Sequence, residues 1–298
     1  MKHWGLDYES ARAINPGLVM LSTCLMGQSG PLAQFAGFGN LAGALCGYYS
    51  VTGWPDRPPV GPFGAYTDYF SPPCALTALL AALDHRRRTG EGQYIDFSQA
   101  ESSLLGLAPA HLDHQVNGRI AGAVGNDDPD PAPHGVYPLR AEDAWVAIAV
   151  TDDREWLALC GAMGRDDLAS QPDLRTATGR RAARRRLDAE LAAWTGALEA
   201  GEVESRLQAV GVPTHRVAGS PDVVADPQLR HRAHWVDVDH HSGATYTVDG
   251  PSMRLSATPG GPRRAGPELN EHLVEVLGSL LGYDDDRIAA LAADGIFQ

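Results

Sequence analysis

The segment that most constrains the fold spans residues 67–101 and reads TDYFSPPCALTALLAALDHRRRTGEGQYIDFSQAE. Ser71 is a predicted helix N-cap, because serine accepts backbone N–H groups there and the two prolines after it suit a first helical turn. The helix body is predicted over residues 74–88. Gly90 follows as the stop, since glycine readily adopts the left-handed conformation that ends many helices.

A short strand is predicted over residues 92–97, and residues 98–101 have the form of a capping box that opens another helix. Upstream, residues 17–25 are predicted as a buried strand and residues 38–52 as a helix rich in small residues. Helices and strands that alternate in this way are typical of an α/β layer with a parallel sheet. We therefore expect an α/β fold.

The domain organisation follows from a Pro/Asp/Gly-rich break at residues 122–135, which is the best candidate boundary. We expect a large domain over 1–125, a smaller α+β domain over 126–225, and a segment over 226–298 that returns to the large domain. Further elements are predicted beyond the break: strands over 144–150, 212–217, 234–239 and 244–249, and helices over 154–163, 180–198, 202–210, 268–281 and 285–293.

Charge and hydropathy exclude several classes of protein. The net charge of −13 over 298 residues makes nucleic acid a poor expected partner, and the basic start of the helix at 180–198 is interpreted as a solvated face. The N-terminus MKHWGLDYES has no apolar signal region, and no apolar run approaches the ~18 residues of a membrane span. A cytoplasmic location without membrane contact is expected.

Cysteines and histidines indicate neither a disulfide framework nor a metal site. No two cysteines form a CxxC pair and all lie in apolar stretches, so we interpret them as reduced core thiols: Cys24, Cys46, Cys74 and Cys160. Two histidine pairs have a spacing of three residues, but nothing nearby supplies a third and fourth ligand: His111 with His114, and His231 with His234.

Asp68 is the candidate for chemistry. It lies just before the predicted helix, where backbone N–H groups and the helix dipole favour an ionised carboxylate held in one orientation. An ionised carboxylate is what nucleophilic attack on a carbonyl requires. On position alone, however, a helix-capping aspartate is the simpler interpretation.

The run at 67–101 resembles the core of the family III CoA-transferases of the CaiB/BaiF type. In that family an aspartate precedes a helix of the form LLAAL, arginines, TG-x-GQ, a strand, and an acidic residue in the next helix. The resemblance extends upstream through GLDYESARAINPGLVMLSTCLMGQSGP and downstream through GVPTHRV to the end of the chain. It implies a Rossmann-like large domain with a smaller α+β domain, interlocked dimers, and Asp68 as the nucleophile.

The mechanism implied by the resemblance moves CoA from an acyl-CoA donor, such as succinyl-CoA, to a carboxylic acid. The Asp68 carboxylate would form a mixed anhydride with the donor acyl group and then a thioester with CoA. No permanently bound cofactor or metal is implied, and the CoA thioester is a substrate. The segment YTDYFSP at residues 66–72 is similar to members of the benzylsuccinate CoA-transferase type.

Binding residues are also implied by the resemblance. The segment that lines the CoA cleft in relatives corresponds to Gly37, Phe38, Gly39 and Asn40, with Tyr69 beside the nucleophile. Asn40 is expected either to orient the Asp68 carboxylate or to cap a helix.

A glycine-rich loop of some relatives corresponds to Gly125, His134 and Gly135 here. Glu101, in the predicted capping box, is interpreted as structural although relatives carry an acid near this position.

Three alternatives stay open. Relatives begin with an N-terminal segment of about a hundred residues that this sequence lacks, so the chain is a truncated form, one part of a two-subunit enzyme, or a reduced non-catalytic homologue. An exposed sheet edge would then require a partner, so we expect a homo- or hetero-oligomer. An acyl-CoA racemase is disfavoured, because racemase relatives carry a histidine where Phe38 stands and phenylalanine transfers no proton.

Overall fold

The structure, a computed structural model, describes residues 1–297 and has the mixed α/β composition expected from the sequence. The chain divides into two compact units, Met1–His215 and Arg216–Gln298. Within the described residues, no helix combines the length and apolar character needed to cross a membrane.

The first unit contains two sheets and most of the helices. Its helices are α1 (Tyr8–Ile14), α2 (Gly39–Leu45), α3 (Tyr48–Val51), α4 (Tyr66–Thr89), α5 (Gln99–Ser103), α6 (Ala108–Asn117), α7 (Asp153–Met163), α8 (Asp166–Ala169), α9 (Ala177–Ala182), α10 (Arg184–Thr195) and α11 (Ala200–Gln208), with short 3₁₀ helices at Lys2–Trp4, Leu104–Leu107 and Pro172–Leu174. The strands of the two sheets are β1 (Met20–Cys24), β2 (Tyr94–Ser98), β3 (His134–Pro138), β4 (Trp145–Ala149) and β5 (Thr214–Arg216).

Strands β1 and β2 form the parallel pair that the sequence predicted, with Met20 opposite Tyr94 and Cys24 opposite Ser98. In this register both strands end at the same edge. The backbone N–H of Ala100 donates to the carbonyl oxygen of Leu25 at 3.0 Å just beyond that edge. Residues that follow the two strands are therefore neighbours, which is where parallel α/β sheets place their ligands.

Helix α4 begins earlier than the sequence predicted. It starts at Tyr66, so Asp68 lies in its first turn rather than before it, and Ser71 is an interior residue rather than the N-cap. The prolines that suggested a start lie inside the helix, where they cannot donate to the carbonyl groups of Asp68 and Tyr69. Packing of the preceding turn against neighbouring helices outweighs the local proline signal.

The end of α4 agrees with the prediction. Gly90 adopts a left-handed conformation with φ of 82°, and its N–H donates to the carbonyl oxygen of Arg86 at 2.8 Å. Gly92 has a different reason to be glycine, because a Cβ atom there would lie 1.9 Å from the carbonyl oxygen of Leu18. The TG-x-GQ pattern thus combines a helix stop with a close approach of two backbone segments.

Two sequence expectations in this unit were wrong in detail. The helix predicted over 38–52 is divided into α2 and α3, because Gly47 takes a φ of 95° that a helix interior does not accept. Strand β3 begins inside the Pro/Asp/Gly-rich break, in a region where the composition indicated only loop. It pairs with β4 in antiparallel register, with Tyr137 opposite Val146.

Two separate hydrophobic clusters lie within the first unit. One is centred on Leu25, Ala42, Cys46, Tyr48 and Ala100, and the other on residues 137–212 with Ile148, Leu159 and Leu207. The domain division at 125/126 stays a prediction, but these two clusters lie on either side of it.

The second unit contains the antiparallel pair β6 (Trp235–Asp239) and β7 (Thr245–Asp249), as the sequence predicted. Its helices are α12 (Ser220–Ala225), α13 (Pro227–His231) and α14 (Asp285–Ala293). The long helix predicted over 268–281 is reduced to a π-helical stretch at Glu275–Leu280.

Arg180 corrects the interpretation of 180–198 as one solvated helix. The segment is broken at Ala183, and the Arg180 side chain is 0% exposed. Its guanidinium donates to the carbonyl oxygens of Ala132 at 2.7 Å and Leu174 at 3.1 Å. It also pairs with the Asp153 carboxylate at 2.8 Å. Nη2 has no hydrogen-bond partner among the described residues, but the bonds of Nε and Nη1 tie three segments of the chain together.

We predict that Arg180→Ala lowers the free energy of unfolding by about 2–4 kcal/mol, because two buried carbonyl oxygens lose their donors. Urea unfolding followed by circular dichroism measures the change. The control is Arg185→Ala on α10, where the side chain is exposed and a change within about 0.5 kcal/mol is expected. Equal stability of the two variants would contradict the structural role of Arg180.

Candidate active site

Asp68 is placed by the first turn of a 24-residue helix, and its residue is partly exposed. Its own N–H donates to the carbonyl oxygen of Ala65 at 2.8 Å, which fixes the backbone at the helix start. The positive end of the helix dipole lies at this end of α4. The carboxylate is thus partly exposed and held on rigid backbone.

The Asp68 carboxylate accepts a hydrogen bond from the side-chain amide of Gln99, with 2.5 Å between Nε2 and Oδ1. Gln99 directly follows the last residue of β2, so the carboxyl edge of the parallel pair delivers this donor. The sequence analysis missed Gln99, since it treated residues 98–101 only as a capping box. A polar residue directly after a parallel strand was the available signal.

Gly39 packs directly on the same carboxylate. A Cβ atom at Gly39 would lie 2.7 Å from Oδ1 of Asp68 and 2.8 Å from Oγ1 of Thr67, closer than such contacts occur. The Thr67 hydroxyl also donates to the carbonyl oxygen of Gly39 at 3.2 Å, and Thr67 is fully buried. The start of α2 and the start of α4 therefore meet at Asp68, and only glycine fits between them.

Three other residues predicted to bind the CoA thioester near Asp68 are exposed. Phe38 and Tyr69 are 80% and 70% exposed, and Asn40 is also exposed. Among the hydrogen bonds of residues 1–297, none involves the Asn40 side chain, and Phe38 rather than Asn40 is the N-cap of α2. The amide that orients Asp68 comes from Gln99, which corrects the expectation for Asn40.

Gly37 packs under the same turn. A Cβ atom there would lie 2.8 Å from Cδ1 of Leu41 and 3.1 Å from Cδ2 of Leu25. One half of the predicted capping box is present, because the backbone N–H of Glu101 donates to Oγ of Ser98 at 3.2 Å.

Gly125, His134 and Gly135 are brought together in a different place. They line a cavity of about 500 Å³ together with the ends of β4 and β5, and Asp68 is not among the lining residues. Nδ1 of His134 lies 2.9 Å from the carbonyl oxygen of Asn126. Gly125 is held by its N–H, which donates to the carbonyl oxygen of Gly53 at 2.8 Å. The structure thus groups these three residues with each other.

The polar groups of the hydrophobic cluster near Asp68 stay neutral. Burial raises the pKa of the Cys46 thiol, whose Sγ donates to the carbonyl oxygen of Ala100 at 3.2 Å. Burial is also the main cause that raises the pKa of Tyr48, whose hydroxyl donates to the carbonyl oxygen of Ser103 at 2.7 Å. Each group is therefore an uncharged hydrogen-bond donor to a carbonyl oxygen of α5.

The four cysteines are free, and within residues 1–297 no three His, Cys, Asp or Glu side chains are grouped as a metal site requires. Cys46 and Cys160 are buried, as expected of core thiols, whereas Cys24 and Cys74 are partly exposed.

Comparison with known proteins identifies the family. Residues 1–273 match CoA-transferase family III. A succinyl-CoA–D-citramalate CoA-transferase from Chloroflexus aurantiacus is 33% identical over 293 residues, which cover 98% of this chain and 73% of that protein. The beta subunit of a succinyl-CoA–L-malate CoA-transferase from the same organism is also 33% identical, over 97% of this chain and 72% of the subunit.

The fold has a counterpart among solved structures. The crystal structure of a CaiB/BaiF family protein from Brucella suis matches with a TM-score of 0.83 and 30% sequence identity. The match covers 94% of this chain and 72% of that protein. Sequence and structure agree over nearly the whole chain, and this chain belongs to CoA-transferase family III.

Proposed function

We propose that this chain transfers CoA from succinyl-CoA to a carboxylic acid, and that Asp68 carries the covalent intermediates. The observation that carries this proposal is the Asp68 carboxylate, partly exposed in the first turn of α4 and fixed between Gly39 and Gln99. A carboxylate nucleophile needs the ionised form, one orientation and access to a carbonyl carbon.

The proposed reaction has four steps. An oxygen of Asp68 attacks the thioester carbonyl of the donor, and the CoA thiolate leaves as the mixed anhydride forms. The thiolate then attacks Cγ of Asp68, which releases the donor acid and leaves an aspartyl-CoA thioester. The acceptor carboxylate attacks that thioester carbon and displaces the thiolate again. Attack of the thiolate on the acceptor carbonyl then yields the new acyl-CoA and the free Asp68 carboxylate.

The relatives' names support the proposed substrates. They pair succinyl-CoA with citramalate and malate, which are small dicarboxylic acids. We therefore propose a small dicarboxylic acid as acceptor, without the aromatic substituent of the benzylsuccinate type to which the resemblance pointed. The chemistry needs no permanently bound cofactor, because a carboxylate and a thiolate alternate as nucleophiles.

The proposed binding surface for the CoA thioester comprises Gly37, Phe38, Gly39 and Asn40 around the start of α2, and Tyr69 next to Asp68 in α4. Broad exposure of Phe38 and Tyr69 supports apolar contact with the acyl-CoA.

A second proposed binding region is the cavity at Gly125, His134 and Gly135, where a polar ring and glycine backbone line one space. We also propose that the chain works as a homo- or hetero-oligomer. Relatives that are named alpha and beta subunits of one CoA-transferase support that proposal.

We predict that Asp68→Asn abolishes CoA transfer, with a loss on the order of 10³-fold or more, because the neutral amide is no nucleophile. Protein is incubated with succinyl-CoA, treated with hydroxylamine and digested, and mass spectrometry locates the modified residue. The native chain is expected to give a hydroxamate at Asp68, and the variant none.

The matched control for this variant is Asp84→Asn, near the other end of α4, where the carboxylate forms exposed ion pairs with Arg87 and Arg88. It should keep both labelling and turnover. Labelling at a residue other than Asp68 would show that the nucleophile is misassigned. A native chain that gives no adduct, alone and with a candidate partner subunit, would instead identify a non-catalytic homologue.

We also predict that Gly39→Ala lowers turnover by about 100-fold, because a methyl group 2.7 Å from Oδ1 must displace the Asp68 carboxylate. Steady-state rates and thermal unfolding are measured together. Gly43→Ala is the control in the same helix, since a Cβ atom there meets only Tyr49 at an ordinary 3.6 Å. It should keep full turnover, and an equal loss in both variants would remove the argument from close packing.

A further inference from the structure

We propose that the Gln99 side-chain amide stabilises the oxyanion that forms on Asp68 itself, in addition to holding that carboxylate in place. The inference rests on the proposed function, because it needs Asp68 as the acyl-carrying nucleophile. Its observation is the direct contact between Nε2 of Gln99 and Oδ1 of Asp68 at 2.5 Å.

The contact distinguishes the two oxygens of Asp68. Oδ1 is held by Gln99 and lies against the backbone of Gly39, where even a methyl group has no room. No hydrogen bond to Oδ2 occurs among residues 1–297. Oδ2 is therefore the oxygen available to attack a thioester carbonyl, and Oδ1 becomes the carbonyl oxygen of the resulting anhydride.

Oδ1, the oxygen that stays on Asp68, then carries the negative charge that develops. When the CoA thiolate attacks Cγ of Asp68, a C–S bond forms, the Cγ=Oδ1 double bond opens and its electron pair becomes an oxyanion on Oδ1. Collapse restores that double bond and breaks the bond from Cγ to Oδ2, so the donor acid leaves with Oδ2. The amide that donates to Oδ1 before the reaction thus points at the atom where charge develops, as an oxyanion donor must.

The position of Gln99 is fixed by its own backbone. Its carbonyl oxygen lies within hydrogen-bond distance of three hydroxyl groups: Ser102 and Ser103 at 2.9 Å each, and Ser71 of α4 at 3.2 Å. Ser71 and Ser102 are buried and also contact each other at 2.9 Å. The serines therefore lock the start of α5 onto α4 one turn after Asp68. A donor held this firmly needs little reorganisation during the reaction.

Few other ionisable groups lie on the elements around this contact. Helix α2 has no titratable side chain, α5 has only Glu101, and β2 has Tyr94 and Asp96. On α4 itself, Tyr66 and Tyr69 flank Asp68. Asp96 is engaged through Oδ1, which accepts the N–H of Gln28 at 2.9 Å. A new carboxyl group at position 99 would thus interact chiefly with Asp68.

The first test is Gln99→Met, which preserves approximate size and removes the donor. Loss of one oxyanion donor is expected to lower kcat by about 10²–10³-fold with little change in KM for succinyl-CoA. Hydroxylamine trapping, which reports all acyl intermediates at Cγ of Asp68, should give less hydroxamate in the variant than in the native chain over the same time. Unchanged kcat and unchanged trapping in a folded variant would overturn the proposal.

The second test is Gln99→Glu, which is nearly the same size as the native side chain and serves where methionine does not pack. Two adjacent carboxyl groups share a proton at low pH, so the introduced group donates to Oδ1 there, and at higher pH both are charged and repel. The turnover of the variant relative to native should fall at least about tenfold from pH ~5.5 to ~8. A purely structural defect would leave that ratio flat.

The control for the pH series is Gln93→Glu, at an exposed position just before β2, and its ratio to native should not change with pH. The outcomes separate the two proposals. A native chain without an Asp68 adduct overturns the proposed function. A native adduct combined with a flat Gln99→Glu ratio overturns only the role of Gln99.

Discussion

The site depends on one packing constraint, the meeting of the first turns of α2, α4 and α5. Gly39 of α2 lies so close to the Asp68 carboxylate that no side chain fits there, and the Gln99 amide of α5 donates to one carboxylate oxygen. The parallel pair β1 and β2 makes this meeting possible, because its shared edge brings the segments after both strands together. A carboxylate held by backbone packing has little freedom to change its orientation.

Buried hydroxyl groups of α4 support the same helix packing. Thr67 and Ser71 are buried polar residues of α4, and each hydroxyl donates to a backbone carbonyl oxygen of a neighbouring helix, in α2 and α5 respectively. Buried hydroxyls of this kind are stabilising only when they are paired. The same helix turn therefore presents a carboxylate outward and hydroxyls inward, which joins the chemistry of Asp68 to the stability of its surroundings.

A comparable arrangement organises the second hydrophobic cluster. Arg180 is buried with its charge shared among Asp153 and two carbonyl oxygens, so it acts as a polar crosslink. Sequence pattern alone placed it on a solvated face, because arginine in a basic run is usually exposed. Local composition could not reveal it, since the groups that accept hydrogen bonds from the guanidinium are up to 48 residues away in the chain.

The sequence by itself determined the α/β class, the presence of strands β1 and β2, and the glycine stop at Gly90. Those features follow from propensities and spacing within one short segment. Only the tertiary structure decided that α4 starts at Tyr66, that Gly39 contacts the carboxylate, and that Gln99 supplies its amide. The reason is physical: these contacts join residues about 30 positions apart, and their distances are set by how helices pack on the parallel pair rather than by local preference.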